Sequence, residues 1–349
     1  MRFTHETLPQ RVVFAPGGAA DAVAAEVGAL DGRRIMVVAS EREAALADPV
    51  AAGLPVVLRH DEVVMHVPVP VAERARQAAA AADVDVVVTV GGGSTTGLGK
   101  AVALTTGLPL VAVPTTYAGS EATDVWGLTE DGTKTTGVDR RVLPRSVVYD
   151  AALLASLPAA LAVASGLNAL AHCVDAMWGP RVDPIDQALA GESIRGLAAG
   201  LPAVACGEEG GVEQTLYGAY LAAVSFASAG SGMHHKICHV LGGMFDLPHA
   251  QTHAVVLPHV LAFNAPHAPG AERRIAAAFD APSAVAGLAS LRAAVNAPVA
   301  LRDHGMPEDG IAAAVPAVLA AIPANNPTPV TTENLTALLR AAWAGEEPA

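Results

Sequence analysis

The feature that most constrains the fold is a change in the sequence pattern near Asp150. Before this point, short apolar runs rich in β-branched residues alternate with alanine-rich stretches of helical length. After it, the strand-like runs stop, and long Ala- and Leu-rich segments punctuated by glycine and proline follow. Alternation of strands and helices is typical of a mainly parallel sheet covered on both faces. The sequence therefore predicts an α/β domain over residues 1–156 and an all-helical domain over residues 157–349.

Apolar periodicity predicts the individual elements of the first domain. The stretches 19–30 and 72–82 predict helices, and residues 125–136 predict a hairpin that turns at 130–133. The run 85–90 is almost continuously apolar, as expected of a strand that is buried on both faces. The predicted strands are Arg11–Phe14, 34–38, 56–59, 63–67, 85–90, 108–113 and Ser146–Tyr149.

Composition excludes several classes of function. The formal net charge is −13, and the chain has three lysines, Lys100, Lys134 and Lys236. An acidic chain without basic runs is poorly suited to bind nucleic acid or an anionic membrane. We expect no membrane span and no secretory signal, because no apolar run is long enough to cross a bilayer and the N-terminus lacks a basic region followed by an apolar one. Cys173, Cys206 and Cys238 are too few for a disulfide framework, so we expect a cytoplasmic protein.

A glycine-rich segment, GGGSTTGLGK at 91–100, follows the most apolar predicted strand and opens a helix. Glycines let the backbone approach a phosphate, and a helix N-terminus presents N–H groups that have no partner within the helix. Ser94, Thr95 and Thr96 can cap the helix or donate to phosphate oxygens. The spacing fits neither a Walker loop nor G-x-G-x-x-G. The segment predicts a phosphate-binding turn, with a purely structural turn as the alternative.

Two further segments are predicted to lie at the carboxyl ends of strands, where open α/β sheets bind their ligands. PTTYAGSE at 114–121 is rich in hydroxyl groups and follows the strand at 108–113. Ser40 comes just after the strand at 34–38 and is followed by Glu41 and Arg42. A carboxylate in the place of Ser40 would hold a ribose diol and repel a 2′-phosphate, but a serine cannot repel it and Arg42 could attract it. NADH and NADPH therefore both stay open.

Five histidines are concentrated within residues 232–253, and their density predicts an active site, because imidazole ligates metals and transfers protons near neutral pH. They are His234, His235, His239, His249 and His253. The alternative is a mixture of core and surface histidines. Helical spacing places Asn168 with His172 on one face, and His235 with His239 on another, with Lys236 about a quarter-turn away. Gly242 and Gly243 predict the end of that helix, and Pro248 with His249 opens the next segment.

These motifs resemble the iron-dependent alcohol dehydrogenase superfamily, and within it the maleylacetate reductase branch. The superfamily's dinucleotide loop has the pattern GGGSxxDxxK, and its metal site has D-A-L-x-H, then H-x-x-x-H-x-L-G and a later P-H. The matching segments here are LPQRVVF at 8–14, GGGSTTGLGK at 91–100, PTTYAGSE at 114–121, KTTG at 134–137, RVLPR at 141–145 and HHKICHVLGG at 234–243.

The resemblance implies a Rossmann-like α/β domain and an all-α domain, in a dehydroquinate synthase-like architecture with an interdomain cleft. It implies NADH or NADPH as cofactor and a homodimer. Ser40 lies where that cofactor's ribose would be bound. By position, the resemblance places the pyrophosphate at Gly92, Gly93, Ser94 and Thr95, the cofactor cleft at Thr115 and Thr116, and the nicotinamide ribose near Lys134.

The resemblance also implies metal ligands at Asn168, His172, His235 and His249, with His239 at a proton-relay position. Two residues depart from the superfamily pattern. Gly97 replaces the loop's aspartate, as the reductase branch tends to have it, and Asn168 replaces the carboxylate of the metal site. An amide is a neutral and weaker ligand, although three-histidine sites still hold zinc. Since the reductase branch is thought not to need metal, we expect a site that works without it.

The function expected from these observations is NAD(P)H-dependent reduction of the C=C bond of maleylacetate, or of a related unsaturated keto acid, in aromatic catabolism. His239 is the expected proton donor. Lys236 and His253 are candidates to hold the carboxylates of a small anionic substrate, and His172, His235 and His249 complete the expected catalytic set. The alternatives are a metal-dependent alcohol dehydrogenase or aldehyde reductase and, with less support, a dehydroquinate synthase-like lyase, which would need more basic residues for a substrate phosphate.

Overall fold

The structure is a computed structural model that describes residues 2–130, 133–208 and 210–348, with the backbone alone at 133 and 134. The chain forms two compact units. One runs from Leu8 to Leu157, and the other begins at Pro158 and also includes the residues up to Thr7. Within this second unit, Nδ1 of His5 lies 2.8 Å from Oδ2 of Asp183, the N-cap of a long helix. This contact attaches the N-terminal segment to the helical unit.

The first unit is built on a six-stranded sheet in which every pairing is parallel, in the order β1-β8-β5-β4-β2-β3. A separate antiparallel pair is formed by β6 and β7. The strands are β1 Arg11–Phe14, β2 Ile35–Val38, β3 Val56–His60, β4 Val86–Gly91, β5 Leu110–Pro114, β6 Val125–Glu130, β7 Thr133–Val138 and β8 Ser146–Tyr149. The helices are α1 Ala19–Ala29, α2 Ala44–Ala51, α3 Val69–Ala81 and α4 Gly93–Thr106.

Apolar side chains cover both faces of the sheet. Along β2, Ile35 and Val37 belong to one hydrophobic cluster, and Met36 and Val38 belong to another. Successive side chains of a strand point to opposite faces, so a strand buried on both faces is apolar at every position. The continuous apolar character of the predicted strands has this origin. Strands β2, β4 and β5 are neighbours, so the polar segments that follow them meet at one edge.

Most of the predicted elements of this unit are confirmed, but the strand expected at 63–67 is wrong. This segment forms turns, with positive φ at His66 and Val67, and Val64 and Met65 are exposed. Its apolar residues alone suggested a strand, but among the described residues its pairing is limited to its end, where the Val67 carbonyl accepts the N–H of Thr129 in β6 beside a single bridge at Pro68. The hairpin is confirmed as β6 and β7, and the centre of its predicted turn, residues 131 and 132, lies outside the described residues.

Helices are the only regular secondary structure among the described residues of the second unit. Its α-helices are α5 Ala159–Ala176, α6 Pro184–Cys206, α7 Gly211–Ala229, α8 Met233–Phe245, α9 His249–Asn264, α10 Pro269–Ala278, α11 Ala284–Ala294, α12 Gly310–Ala321 and α13 Thr332–Ala344. The prediction that Gly242 and Gly243 end a helix is wrong. Helix α8 continues to Phe245, and Asp246 in the left-handed conformation caps it. Leu241 and Phe245 lie four residues apart and pack on the same core, which keeps this turn helical.

Helix α5 is long and apolar enough to cross a membrane by length and composition alone. However, 83% of this segment is buried inside the structure, as in the core helix of a folded domain. Its neighbours α6 and α7 approach closely through glycines. A Cβ on Gly218 would lie 3.0 Å from the backbone nitrogen of Leu197, and a Cβ on Gly166 would collide with the Cδ2 methyl of Leu201.

Helix α9, which carries two of the clustered histidines, contains Pro258. Proline has no N–H, so the carbonyl of Ala254, one turn earlier, has no helical partner. Arg292 of α11 replaces that partner by donating from Nη1 to this carbonyl, and it donates from Nη2 to the carbonyl of Pro298 over 2.8 Å. The arginine therefore compensates for the interruption and keeps α9 continuous.

Candidate active site

Helix α5 presents three polar side chains along one face, Asn168, His172 and Asp175, at spacings of four and three residues. All three are buried, and Asp175 is completely inaccessible. Its Oδ2 accepts hydrogen bonds from the backbone N–H groups of Gly232 and His235 over 3.0 and 3.1 Å. Asp175 thus binds the N-terminus of α8, where backbone N–H groups lack helical partners and the helix dipole favours negative charge.

The same carboxylate fixes the orientation of His235. Nδ1 of His235 lies 2.7 Å from Oδ2 of Asp175, while its Nε2 has no hydrogen-bond partner among the described residues. The ring belongs to a group of three rings that contact one another, since the centroids of His172 and Phe226 are themselves 4.7 Å apart. It stacks on His172 at 4.8 Å between centroids, with 14° between the ring planes, and Phe226 of α7 lies 4.2 Å away. His235 is therefore held by contacts on several sides.

A second imidazole pair lies beside this one. Nε2 of His234 is 2.9 Å from Nδ1 of His253, and Sγ of Cys238 lies 3.6 Å from the same nitrogen of His234. His234 and His253 are fully buried. The His253 ring centroid lies 4.7 Å from that of His235 and 4.4 Å from that of His249. His253 therefore connects the buried histidines to those nearer the surface.

His239 and His249 are only partly buried. Their rings are nearly parallel, with 21° between the planes and 6.2 Å between centroids, and His239 lies 6.0 Å from His235. Lys236, on the same helix, is also partly buried. The structure thus brings all five clustered histidines together with His172, and it arranges them from a buried side to a side that solvent reaches.

Burial keeps the inner imidazoles neutral. It is the main cause that lowers the pKa of His172 to about 4 and that of His234 to about 3. Burial, and then the neighbouring imidazoles, also lower the pKa values of His235 and His253 well below the ordinary value. Burial raises the pKa of Asp175 to about 7, although backbone N–H donors oppose this shift. Near neutral pH the inner histidines are therefore hydrogen-bonding groups without charge.

The donor set does not fit the iron ion that the resemblance implies. Oδ1 of Asn168 is buried and has no hydrogen-bond donor among the described residues, but it is a neutral ligand. The histidine nitrogens that converge within 4.8 Å belong to His234, His235 and His253, which are also neutral. Asp175 is already engaged by His235 and the α8 backbone. Iron sites with imidazole ligands ordinarily include a carboxylate, and a buried dication without one is poorly compensated.

In the first unit, the glycine loop between β4 and α4 has the predicted form. Gly92 is the N-cap of α4, and a Cβ there would lie 3.1 Å from Cγ2 of Thr116. The first N–H groups of α4, beginning at Gly93, Ser94 and Thr95, have no helical acceptors. These features fit a dinucleotide pyrophosphate. Lys134 lies in β7, and its side chain is outside the described part of the structure.

An unexpected carboxylate occupies this loop. Glu43 ends a 3-10 turn after β2, and its Oε1 accepts hydrogen bonds from the Gly92 N–H over 3.0 Å and the Thr115 hydroxyl over 3.3 Å. Its Oε2 accepts from the Thr95 hydroxyl over 3.1 Å and the Ser40 hydroxyl over 2.8 Å. Glu43 thus joins the segments that follow β2, β4 and β5.

The lysine that closes the loop motif has a structural role. Nζ of Lys100 is buried and donates to the carbonyls of Thr123 and Val125, each over 2.8 Å, and to the Thr123 hydroxyl over 3.0 Å. Burial lowers the pKa of Lys100 to about 7, while Glu121 and Asp124 oppose the shift. Lys100 therefore fastens α4 to the segment that leads into β6.

Sequence reasoning missed Asp175, Glu43, Phe226 and the role of His234. Asp175 carried a signal, since it is a carboxylate in an apolar helix on the face of Asn168 and His172. Glu43 and Phe226 gave none, because their partners are distant in sequence.

Comparison with known proteins shows the family. The iron-containing alcohol dehydrogenase model matches residues 9–151, and the C-terminal model of the Fe-containing alcohol dehydrogenase family matches residues 162–343. A maleylacetate reductase of Sphingobium indicum is 44% identical, with 100% of this chain and 99% of the relative covered.

Solved structures lead to the same family. An iron-containing alcohol dehydrogenase of Corynebacterium glutamicum is 59% identical, with a TM-score of 0.98 over 100% of this chain and 99% of that one. The maleylacetate reductase of Agrobacterium tumefaciens is 39% identical, with a TM-score of 0.94 over 100% of both chains. The chain therefore belongs to the iron-containing alcohol dehydrogenase family, as its loop and histidine motifs predicted.

Proposed function

We propose that this chain uses NADH or NADPH to reduce the C=C bond of maleylacetate, giving 3-oxoadipate, in the catabolism of aromatic compounds. The observation that carries the proposal is the 44% identity, over the whole chain, to a protein named maleylacetate reductase. The chemistry of the histidine cluster supports it, since the reaction needs hydrogen-bond donors and a proton source. The glycine loop at the start of α4 would hold the cofactor pyrophosphate.

The reaction requires stabilisation of one oxygen. When bound, the reduced nicotinamide supplies a hydride, which adds to the substrate carbon β to the ketone. Negative charge then accumulates on the ketone oxygen as an enolate. Fixed N–H donors in a buried site stabilise such an oxygen strongly, because they need little reorganisation during the reaction. Buried neutral imidazoles are donors of this kind.

The hydrogen-bond geometry supports a different proposed role for each of two imidazoles. When Asp175 is ionised, His235 donates its Nδ1–H to it, which leaves a lone pair on Nε2. When His234 donates from Nε2 to Nδ1 of His253, the proton of neutral His253 is on Nε2. His253 is therefore our donor to the enolate oxygen, and His235 accepts a hydrogen bond from the substrate or a water molecule.

Protonation of the neighbouring carbon completes the reduction. His239 is our proton donor, because it lies in the cluster and is partly exposed, so solvent can replace the proton after each turnover. His249 lies parallel to it and is partly exposed as well. Lys236 is our candidate partner for a carboxylate of the small anionic substrate, since it is partly buried on the same helix.

We further propose that the reaction proceeds without a metal ion. Support comes from the neutral donor set, in which Asn168 supplies an amide and the buried carboxylate of Asp175 is engaged elsewhere. We also propose a homodimer and a cytoplasmic location. The free cysteines Cys173, Cys206 and Cys238 are compatible with a reducing compartment, and light scattering after gel filtration would test the dimer.

The direct test measures absorbance at 340 nm with maleylacetate and either NADH or NADPH. We expect rapid oxidation of at least one nucleotide and formation of 3-oxoadipate. No oxidation of either would refute the substrate assignment. Activity should persist after extensive chelation, with metal content measured on the same sample.

A second candidate function is a metal-dependent alcohol dehydrogenase. It is favoured by the 59% identity to the Corynebacterium glutamicum protein, which is named an iron-containing alcohol dehydrogenase. Strict dependence of activity on added iron or zinc, with turnover of simple alcohols or aldehydes, would support this candidate over the reductase.

A further inference from the structure

Glu43 accepts hydrogen bonds from groups that the sequence predicts to bind a cofactor. The Gly92 N–H, the Thr95 hydroxyl and the Thr115 hydroxyl all donate to its carboxylate. Ser40 donates to the same carboxylate from its backbone N–H over 3.2 Å and from its hydroxyl over 2.8 Å. This acidic side chain is therefore bound by the loop into which a dinucleotide would bring further negative charge.

The packing leaves little freedom around this carboxylate. A Cβ on Gly91 would lie 2.6 Å from both carboxylate oxygens of Glu43. Its own turn is closed by a capping box with Ser40, which fixes the backbone from which the side chain extends. The negative charge is thus held at the loop by contacts from several segments.

The N–H groups of the loop that Glu43 does not use are available to a dinucleotide, so both can be bound at the same time. The carboxylate is bound by the N-cap and by hydroxyl groups, whereas the first N–H groups within α4 have no helical acceptors and suit a pyrophosphate. Glu43 follows β2, which is the neighbour of β4. In dinucleotide-binding folds the end of this neighbouring strand lies near the adenosine ribose, and the Glu43 carboxylate is bound there by the hydroxyl of Ser40, two residues beyond the strand.

We propose that Glu43 determines cofactor selectivity, so that this chain binds NADH more tightly than NADPH. The inference rests on the nucleotide dependence of the proposed function and deepens it. The 2′-phosphate of NADPH adds negative charge on the side of the sheet where Glu43 is fixed, and like charges repel. Arg42 does not reverse the preference, because it is exposed and is flanked in sequence by Glu41 and Glu43.

The experiment measures the dissociation constants of NADH and NADPH by fluorescence titration, without substrate. Glu43→Gln removes the charge and keeps the side-chain length. Glu43→Asp keeps the charge and shortens the side chain. Glu41→Gln removes the same charge from an exposed neighbour and serves as the matched control. Circular dichroism and the thermal midpoint establish that each variant is folded.

The wild-type chain should bind NADH more tightly, and the preference should weaken as ionic strength rises. In Glu43→Gln, the ratio of the NADPH to the NADH dissociation constant should fall about tenfold, the order expected when one partly buried charge is removed near another. Glu43→Asp and Glu41→Gln should keep most of the wild-type preference.

Equal or tighter binding of NADPH by the wild type, or an unchanged ratio in Glu43→Gln, would overturn this inference and leave the proposed reduction intact. Failure of both nucleotides to bind the wild type would refute the inference together with the nucleotide dependence. Binding with the expected selectivity but no turnover of maleylacetate would support the inference and refute only the substrate.

Discussion

Nδ1 of His235 lies 2.7 Å from Oδ2 of Asp175, and the same carboxylate oxygen accepts the backbone N–H of His235. One buried carboxylate therefore sets both the position of α8 and the ring orientation of its functional histidine. Such a partner fixes which ring nitrogen carries the proton.

Replacement of Asp175 tests this relationship. Asp175→Asn should lower kcat for maleylacetate by about 10–100-fold, the range for removing the outer hydrogen-bond partner of a functional histidine. The change in KM should be smaller, because Asp175 is inaccessible to substrate. Steady-state kinetics measure both, with Glu192→Gln, a partly exposed residue, as the control. Equal kcat in the two variants would show that Asp175 only supports the fold.

Partial exposure distinguishes His239 from the buried His235. His239→Ala should reduce turnover by about 100-fold or more, the contribution typical of a positioned proton donor, with little change in nucleotide affinity. Added imidazole should restore part of the activity, because solvent reaches this edge of the cluster. His235→Ala should lose turnover similarly but resist rescue, since the side chain is 2% exposed. Unchanged turnover in both variants would show that the cluster is structural.

The amide at position 168 should control metal affinity. Asn168→Asp adds a negative charge on the same α5 face as His172 and Asp175. We expect zinc to bind at least about tenfold more tightly than to the wild type, because one added charge interacts strongly with a divalent ion. Competition with a chromogenic chelator measures this affinity. Equal zinc affinity in the two proteins would contradict our account of the donor set.

His259, away from the cluster on α9, should make stability sensitive to acid. Burial, and then the nearby Arg292, lower the pKa of His259 from 6.5 to about 4 in the folded chain. The unfolded chain takes up this proton near pH 6.5, so the contribution to stability is fully present above 6.5 and is lost as pH falls toward 4. The loss amounts to about 3 kcal/mol. Denaturation midpoints from pH 7.5 to 4.5 should fall less steeply in His259→Gln, and parallel profiles would refute this origin.

The sheet was predictable because its signals are local. The apolar run at 85–90 and the glycines after it identified β4 and the glycine loop. The polar residues spaced along the apolar helix α5, together with the clustered histidines, identified the candidate active site. The segment at 63–67 misled because apolar character alone does not show whether a partner strand is available. Gly242 and Gly243 misled because core packing through Leu241 and Phe245 outweighs the low helix propensity of glycine.

The contacts that organise the two candidate sites were beyond such reasoning. Asp175 meets the start of α8, and Glu43 meets Gly92 and Thr115, across long separations in the chain. Periodicity reports the environment of a residue but not its partner. The carboxylate missing at Asn168 was readable from the motif, whereas the one at Asp175 acquired meaning only once α5 and α8 were seen together.

The glycine contacts among α5, α6 and α7 have a consequence for mutational tolerance. His172 lies on α5 after Gly166, and Phe226 lies on α7 after Gly218, so the helices that pack through these glycines also carry rings that pack against His235. A methyl group added at either glycine would push backbone or core side chains apart. Saturation mutagenesis scored by activity would therefore reveal, besides the histidine cluster, a second region in which substitutions abolish activity. Its residues lie at the helix contacts and touch no imidazole.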